Sequence, residues 1–135
     1  MIKQDTAAIL VEKDGRFLLI RRAVPPRQGF WELPAGHVDE GEAVAQAAQR
    51  EAQEEVGEVE VEKEPFHILD PEHIRVGHQH RCHYFRGKVV GEVRAGSDAA
   101  EIGWFTLEEM KKMDISYFTL LIFNKLFPEE NAPDR

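Results

Sequence analysis

GHVDEGEAVAQAAQREAQEEVG, residues 36–57, is the stretch on which the reading of this chain turns. Residues 42–56 are nearly all good helix formers, and Gly57 stands where a helix would stop. The pattern predicts one helix over 42–56. At about 100° per residue, positions i, i+3, i+4 and i+7 share a helix face. Glu51, Glu54, Glu55 and Glu58 have those spacings, and Ala45, Ala48, Ala52 and Val56 form an apolar stripe beside them. The helix is expected to seat on that stripe and to present its carboxylates together. Like charges at such spacing cost a few tenths of a kcal/mol per pair when exposed, and more when buried without a cation.

A solvated acidic face is the plain reading of a Glu-rich helix. The surroundings argue for more. Arg50 lies four residues before Glu54, within reach to hold a carboxylate. Residues 34–42 form a loop with two glycines and further acids, where Gly36 lets backbone approach a ligand without an intervening side chain. Several carboxylates and a free backbone carbonyl make a hard, all-oxygen site suited to magnesium or manganese rather than zinc.

Outward from this helix the chain is rich in strands. Residues 6–11 are an apolar, branched run, Asp14-Gly15 is a hairpin signal, and 16–21 is the returning strand. Residues 25–29 read as a loop, 30–33 as a short extended piece, and 34–36 as a break. Strands are expected near 64–69, 79–90 and 102–105, with a loop at 96–98. Thr106 and Glu109 have capping-box spacing, and a last helix is expected over 117–126. The pattern is mixed α/β, without the strict alternation of a doubly wound sheet. One domain over 1–128 with a loose polar tail at 129–135 is the expected organisation.

Composition narrows the class. The 135 residues carry a formal net charge of −8, which argues against binding a nucleic acid polymer. A phosphorylated small molecule still suits an acidic protein when cations stand between the two sets of charge. No signal-peptide pattern opens the chain and no apolar stretch suffices to cross a bilayer, so no membrane role is expected. Cys82 is the single cysteine, which leaves a reducing cytoplasm as the expected compartment.

The residues also carry a resemblance. Gly36, Glu42, Arg50-Glu51, Glu54-Glu55 and Gly57 match the Nudix signature, G-x5-E-x7-R-E-U-x-E-E-x-G-U with U a bulky aliphatic, at all seven fixed positions. Trp31 to Gly36 before the box and Glu101 to Phe105 after it resemble the family's flanking segments, so the likeness covers most of the chain. Ala52 is smaller than the pattern favours, and Glu58 replaces its last aliphatic, with Val59 expected to take over the packing.

The resemblance implies an α/β/α sandwich with a mixed sheet and a central catalytic helix. It implies hydrolysis of a phosphoric anhydride in a nucleotide, with magnesium (or manganese) as cofactor. By position it makes Glu51, Glu54 and Glu55 metal ligands together with the Gly36 carbonyl. One of these glutamates, or an acid from a later loop, would activate water. Arg50 would orient the glutamates and Glu42 support the loop. Asp98 is the expected later-loop ligand, with Glu101 as its competitor. Two substrate classes suit the family: a nucleoside triphosphate, oxidised forms included, cut to monophosphate and pyrophosphate, and ADP-ribose or a similar nucleoside-diphosphate derivative. The triphosphate is slightly preferred because the chain is short. A non-catalytic nucleotide-binding regulatory domain is the rival from another class.

Other candidates lie outside the box. Arg21, Arg22 and Arg27 are candidates to bind phosphate or a terminal sugar, though only one need do so. His80 is a candidate to meet phosphate or base from its strand, against the plain reading of histidines filling a half-exposed strand. His78, His80 and Cys82 share one strand face, but no second pair completes a zinc site. Phe30 and Trp31 read as core or as a base-stacking pair. The apolar 117–127 run reads as core with a possible dimer contact, so monomer and homodimer are both open.

Overall fold

Strand β1, Ile2–Lys13, is apolar on both faces because both faces are covered. In the computed structural model, which describes residues 2–70 and 78–128, Ala7, Ile9 and Val11 enter one core and Ala8 and Leu10 the other. Side chains at 2, 3 and 78–80 also lie outside the described ones. Asp14 and Gly15 both have positive φ, 53° and 77°, the pairing that turns a two-residue hairpin into β2, Arg16–Arg22. There follow β3 (Trp31–Glu32), β4 (Ala35–His37), helix α1 (Val44–Glu55), β5 (Gly57–Val61) and β6 (His67–Leu69). Strand β7 (His78–Val93), β8 (Ala99–Phe105), α2 (Leu107–Met110) and α3 (Tyr117–Leu126) complete the described chain.

The strands join in one eight-stranded sheet of order β3-β2-β1-β7-β5, with β4 beside β1, β6 beside β7 and β8 beside β2. Strands β1 and β7 run parallel, from Ile2 opposite His78 to Val11 opposite Gly87, and the other pairs are antiparallel. The sheet is therefore mixed. Helix α1 packs Ala47, Ala48, Ala52 and Val56 on one face with Ile9, Leu18, Ile20 and Phe85. On the other, Leu120, Ile122 and Phe123 of α3 meet Leu10, Phe17, Leu19 and Tyr84. The result is a helix–sheet–helix sandwich.

Several expectations need correcting. Helix α1 starts at Val44, not 42, because Glu42 closes a turn in which its N–H donates to the Asp39 carbonyl and its carboxylate accepts from the Asp39 N–H. Ala47 takes the fully buried place expected of Ala45. Glu58 is not on the helix: Gly57, at φ 102°, ends it, and Glu58 lies in β5, where it accepts from the Glu92 N–H. Val59 does take over the packing, at 2% exposure. Strands β4 and β5 went unread because one looks like a glycine break and the other like a continuation of the acidic run. The strand near 64–69 is shorter than expected, β7 runs on to Val93, and the capping box at Thr106 forms in both directions. The 129–135 tail lies outside the described residues.

On its outer flank α1 is tied to β5 by Gln49, whose amide donates to the Val59 carbonyl (2.8 Å) and accepts from the Val61 N–H (3.0 Å).

Candidate active site

The loop that carries Gly36 is fixed before the helix begins. The Ile9 N–H donates to the Pro34 carbonyl, and the Leu33 N–H to the buried Thr119 hydroxyl of α3. The Ala35 N–H donates to Glu55 Oε1 (2.9 Å), and Val38 N–H to the Asp5 carbonyl. Gly36 thereby sits opposite Ala7 in the sheet with the Glu51 carboxylate directly against its Cα, in the space a Cβ would fill. Only glycine leaves room for that carboxylate.

Arg50 gathers the acids. Its Nε and Nη2 hold Glu42 at 2.8 and 3.0 Å, Nη1 reaches Glu51 at 2.8 Å and Glu54 at 3.1 Å, and Nη2 also meets the His37 carbonyl. Asp39 lies 3.5 Å away. These hydrogen bonds hold the Glu42 carboxyl down at about 2, and the same partners raise the Arg50 guanidinium above its ordinary value. The planar fork of arginine suits this many-sided role. Glu42 and Arg50 thus join loop and helix into one rigid unit.

Glu51 and Glu55 lie deeper. Burial raises the Glu51 carboxyl despite the Arg50 hydrogen bond. Glu55 is 3% exposed, and burial pushes its carboxyl up to about 9, against the pull of the Ala35 N–H. The charges of Glu51, Glu32 and Asp98 add to that rise. A carboxyl in such a place is neutral at pH 7 unless a cation offsets the cost of its charge. Glu54, with its side chain 45% exposed, forms the solvent rim.

The later loop closes on the same spot. The Gly96 N–H donates to the Glu55 carbonyl, and a Cβ on Gly96 would strike the Glu54 carbonyl. Asp98 is exposed, stands within electrostatic reach of Glu55, and takes the Ala23 N–H on its own carbonyl. Glu101 instead pairs with Arg21 across the β2–β8 ladder, so that each neutralises the other.

Of the remaining arginines, Arg22 donates to the Pro26 carbonyl (2.7 Å) and to Glu32 (3.1 Å). Among the described residues the Arg27 side chain makes only long contacts, 3.4 Å to the Ser116 hydroxyl and 3.9 Å to Glu32. Trp31 packs edge-on to Phe105 in the core. The backbone of His80 pairs with Gln4, while its side chain and that of His78 lie outside the described ones. Cys82 is buried and accepts from the Thr6 hydroxyl, and Arg81 and His83 pair with Asp70 and Asp5.

Sequence reasoning missed Glu32 and Ser116. Glu32 is 7% exposed and accepts from the Ser116 hydroxyl at 2.8 Å as well as from Arg22. One acid inside the apolar run Phe30-Trp31-Glu32-Leu33 was the available signal, since a charge buried there must find partners.

The donor set fits a hard divalent cation: carboxylates, two of them desolvated, with Glu51 seated against the Gly36 backbone. Among the described residues no three acidic, His or Cys groups form a ready-made cage; Arg50 occupies the space between Glu51 and Glu54.

Known proteins resemble this chain in sequence and in fold. An ADP-ribose pyrophosphatase of Methanocaldococcus jannaschii is 34% identical over 105 residues, covering 77% of this chain and 62% of that protein. The phosphatase NudJ of Escherichia coli is 33% identical over 64 residues, covering 47% of this chain and 39% of the enzyme. The chain thus spans less than two thirds of the length of either relative. A MutT NUDIX hydrolase structure from Burkholderia pseudomallei superposes with a TM-score of 0.77 at 27% identity, covering 90% of this chain and 95% of that one. The family model of the NUDIX domain matches residues 1–121, and the chain, with its signature box folded as loop and helix, belongs to the Nudix hydrolase family.

Proposed function

We propose that this protein hydrolyses a phosphoric anhydride bond in a nucleotide with the help of a bound divalent cation. The observation that carries the reading is the convergence of Glu51 on Gly36 and of Glu55 on Ala35, which brings the acidic face of α1 onto the glycine loop. Glu51, Glu54, Glu55 and the Gly36 carbonyl hold the cation, magnesium or manganese, with Asp98 as the further ligand. When bound, such a cation screens phosphate charge and lowers the pKa of water. Glu54, the most exposed of the three, orients the attacking water and accepts its proton. The oxygen of that water bonds to phosphorus as the bond to the bridging oxygen breaks. Arg50 keeps Glu51 and Glu54 from swinging into solvent, and Glu42 keeps Arg50 in place.

The preferred substrate is a nucleoside triphosphate, cut to monophosphate and pyrophosphate, with Arg27 and His80 as the candidate contacts beyond the metal site; Arg21 joins them only if substrate displaces its partner Glu101. ADP-ribose is the second reading, and it is favoured by the name of the archaeal relative. Among the described residues no helix is long and apolar enough to cross a membrane.

A panel of nucleotides, ADP-ribose included, assayed for phosphate-containing products with magnesium or manganese tests the proposal beside Glu54→Gln. Turnover should fall by roughly 100-fold or more in the variant. Equal turnover would remove Glu54 from the chemistry, and no turnover of any nucleotide would favour a binding domain.

A further inference from the structure

Among the described residues three non-glycines have left-handed backbone: Asp14 in the hairpin, Arg27 at φ 58°, and Ser97 at φ 53°. The loops of the last two are joined by the Ala23 N–H to Asp98 carbonyl bond (2.8 Å). The Ser97 loop reaches Glu55 through the Gly96 N–H, and Glu32, 3.9 Å from Arg27, is among the charges that act on Glu55. A long side chain is costly in that conformation, where glycine would be free of strain.

Arg22 is satisfied by Glu32 and the Pro26 carbonyl, and Arg21 by Glu101. Arg27 remains 37% exposed with contacts of 3.4 and 3.9 Å, too long for a strong charge-assisted bond. Two arginines around one buried carboxylate leave a net positive charge in an otherwise acidic site. The Ser116 hydroxyl donates to Glu32 rather than capping α3, so it is committed to the carboxylate that Arg27 faces.

We propose that Arg27 is a specificity-determining residue, receiving the terminal phosphoryl group of a nucleoside triphosphate, and that buried Glu32 with Ser116 positions it. The inference rests on the hydrolase reading above and deepens it. ADP-ribose has a neutral sugar where the triphosphate has its terminal phosphate, so Arg27 separates the two substrates.

The test compares ATP with ADP-ribose for wild type, Arg27→Gly, Arg27→Lys, Glu32→Gln and the Arg27→Gly/Glu32→Gln pair. Turnover is followed with manganese, and Kd by calorimetry without metal, where no hydrolysis intervenes. The ATP to ADP-ribose ratio of kcat/KM should fall about 10-fold or more in Arg27→Gly, mainly through KM, as for loss of one charge-assisted contact. Arg27→Lys should recover part of it. Glu32→Gln should shift the ratio the same way, and the double variant no further than Arg27→Gly alone. A merely structural Glu32 would instead weaken both substrates equally. An unchanged ratio, or equal losses on both substrates, overturns the proposal. If Glu32→Gln fails to fold, the Arg27 variants still decide, since glycine suits φ 58°. Should wild type turn over neither nucleotide, the hydrolase reading fails separately. ATP affinity then decides the role of Arg27, and a wild type that binds ATP no better than Arg27→Gly overturns it.

Discussion

Glu55 carries a pH signature that can be read without substrate. Its carboxyl is raised from an ordinary 4.5 to about 9 in the folded, metal-free protein. Between those values the native state keeps a proton that the unfolded chain has released, so its contribution to stability is full below about 4.5 and is lost as pH rises through 9. Metal-free wild type should therefore lose stability across this window, and Glu55→Gln should flatten the slope, as denaturant melts at a series of pH values would show. An identical slope in the variant would mean that Glu55 is ionised in the fold. At Gly36 the expectation is steric: Gly36→Ala sets a methyl group against the Glu51 carboxylate and should lower metal affinity or activity by roughly 10–100-fold. Titration calorimetry with manganese measures the first effect directly. At this scale the box residues were legible because each is polar, charged or glycine at a fixed spacing. Glu32 was not, since its importance comes from Ser116, 84 residues away.

Among the elements, α1 was readable in its type and its end, and less so in its start. Helix propensity does not tell a first turn from a loop turn whose acid bonds back to its own backbone, as Glu42 does with Asp39. Strand β5 was hidden because its alternation, Gly57-Glu58-Val59-Glu60-Val61, begins inside a motif with helical spacing. The bond between α1 and β5 is long-range information of the same kind. Gln49→Ala removes two hydrogen bonds to partly buried backbone and should cost about 1–2 kcal/mol. The loss should appear as a Tm lower by several degrees with the metal-dependent rate constant intact after folding is allowed for. A fall in kcat without a fall in Tm would place Gln49 in the chemistry instead.

At the level of the whole molecule, two layers of helix around a mixed sheet follow from β1, whose neighbours in sequence face opposite cores. The apolar run at 6–11 announced a buried strand, but not the parallel pairing with β7, which depends on a partner more than 70 residues away. Metal binding should act on the entire fold, because only the native chain brings the loop to the helix. A divalent cation at about 100 times its Kd at pH 6 adds ~2.7 kcal/mol there, and at that same concentration the gain should grow toward pH 8.5, because displacing the Glu55 proton costs less as pH rises. Thermal melts with and without manganese at both pH values check this, and a gain that shrinks with pH would contradict the assignment of Glu55.

The Gln49 amide has one more effect. It presents a donor to the Val59 carbonyl and an acceptor to the Val61 N–H, in the places where the backbone of another chain would present its own. Strand β5 ends the sheet order, and an uncovered terminal strand is a template for self-association. The helix that bears the acids therefore also acts, from its far side, as a guard against aggregation: Gln49→Ala protein should form oligomers on storage sooner than wild type.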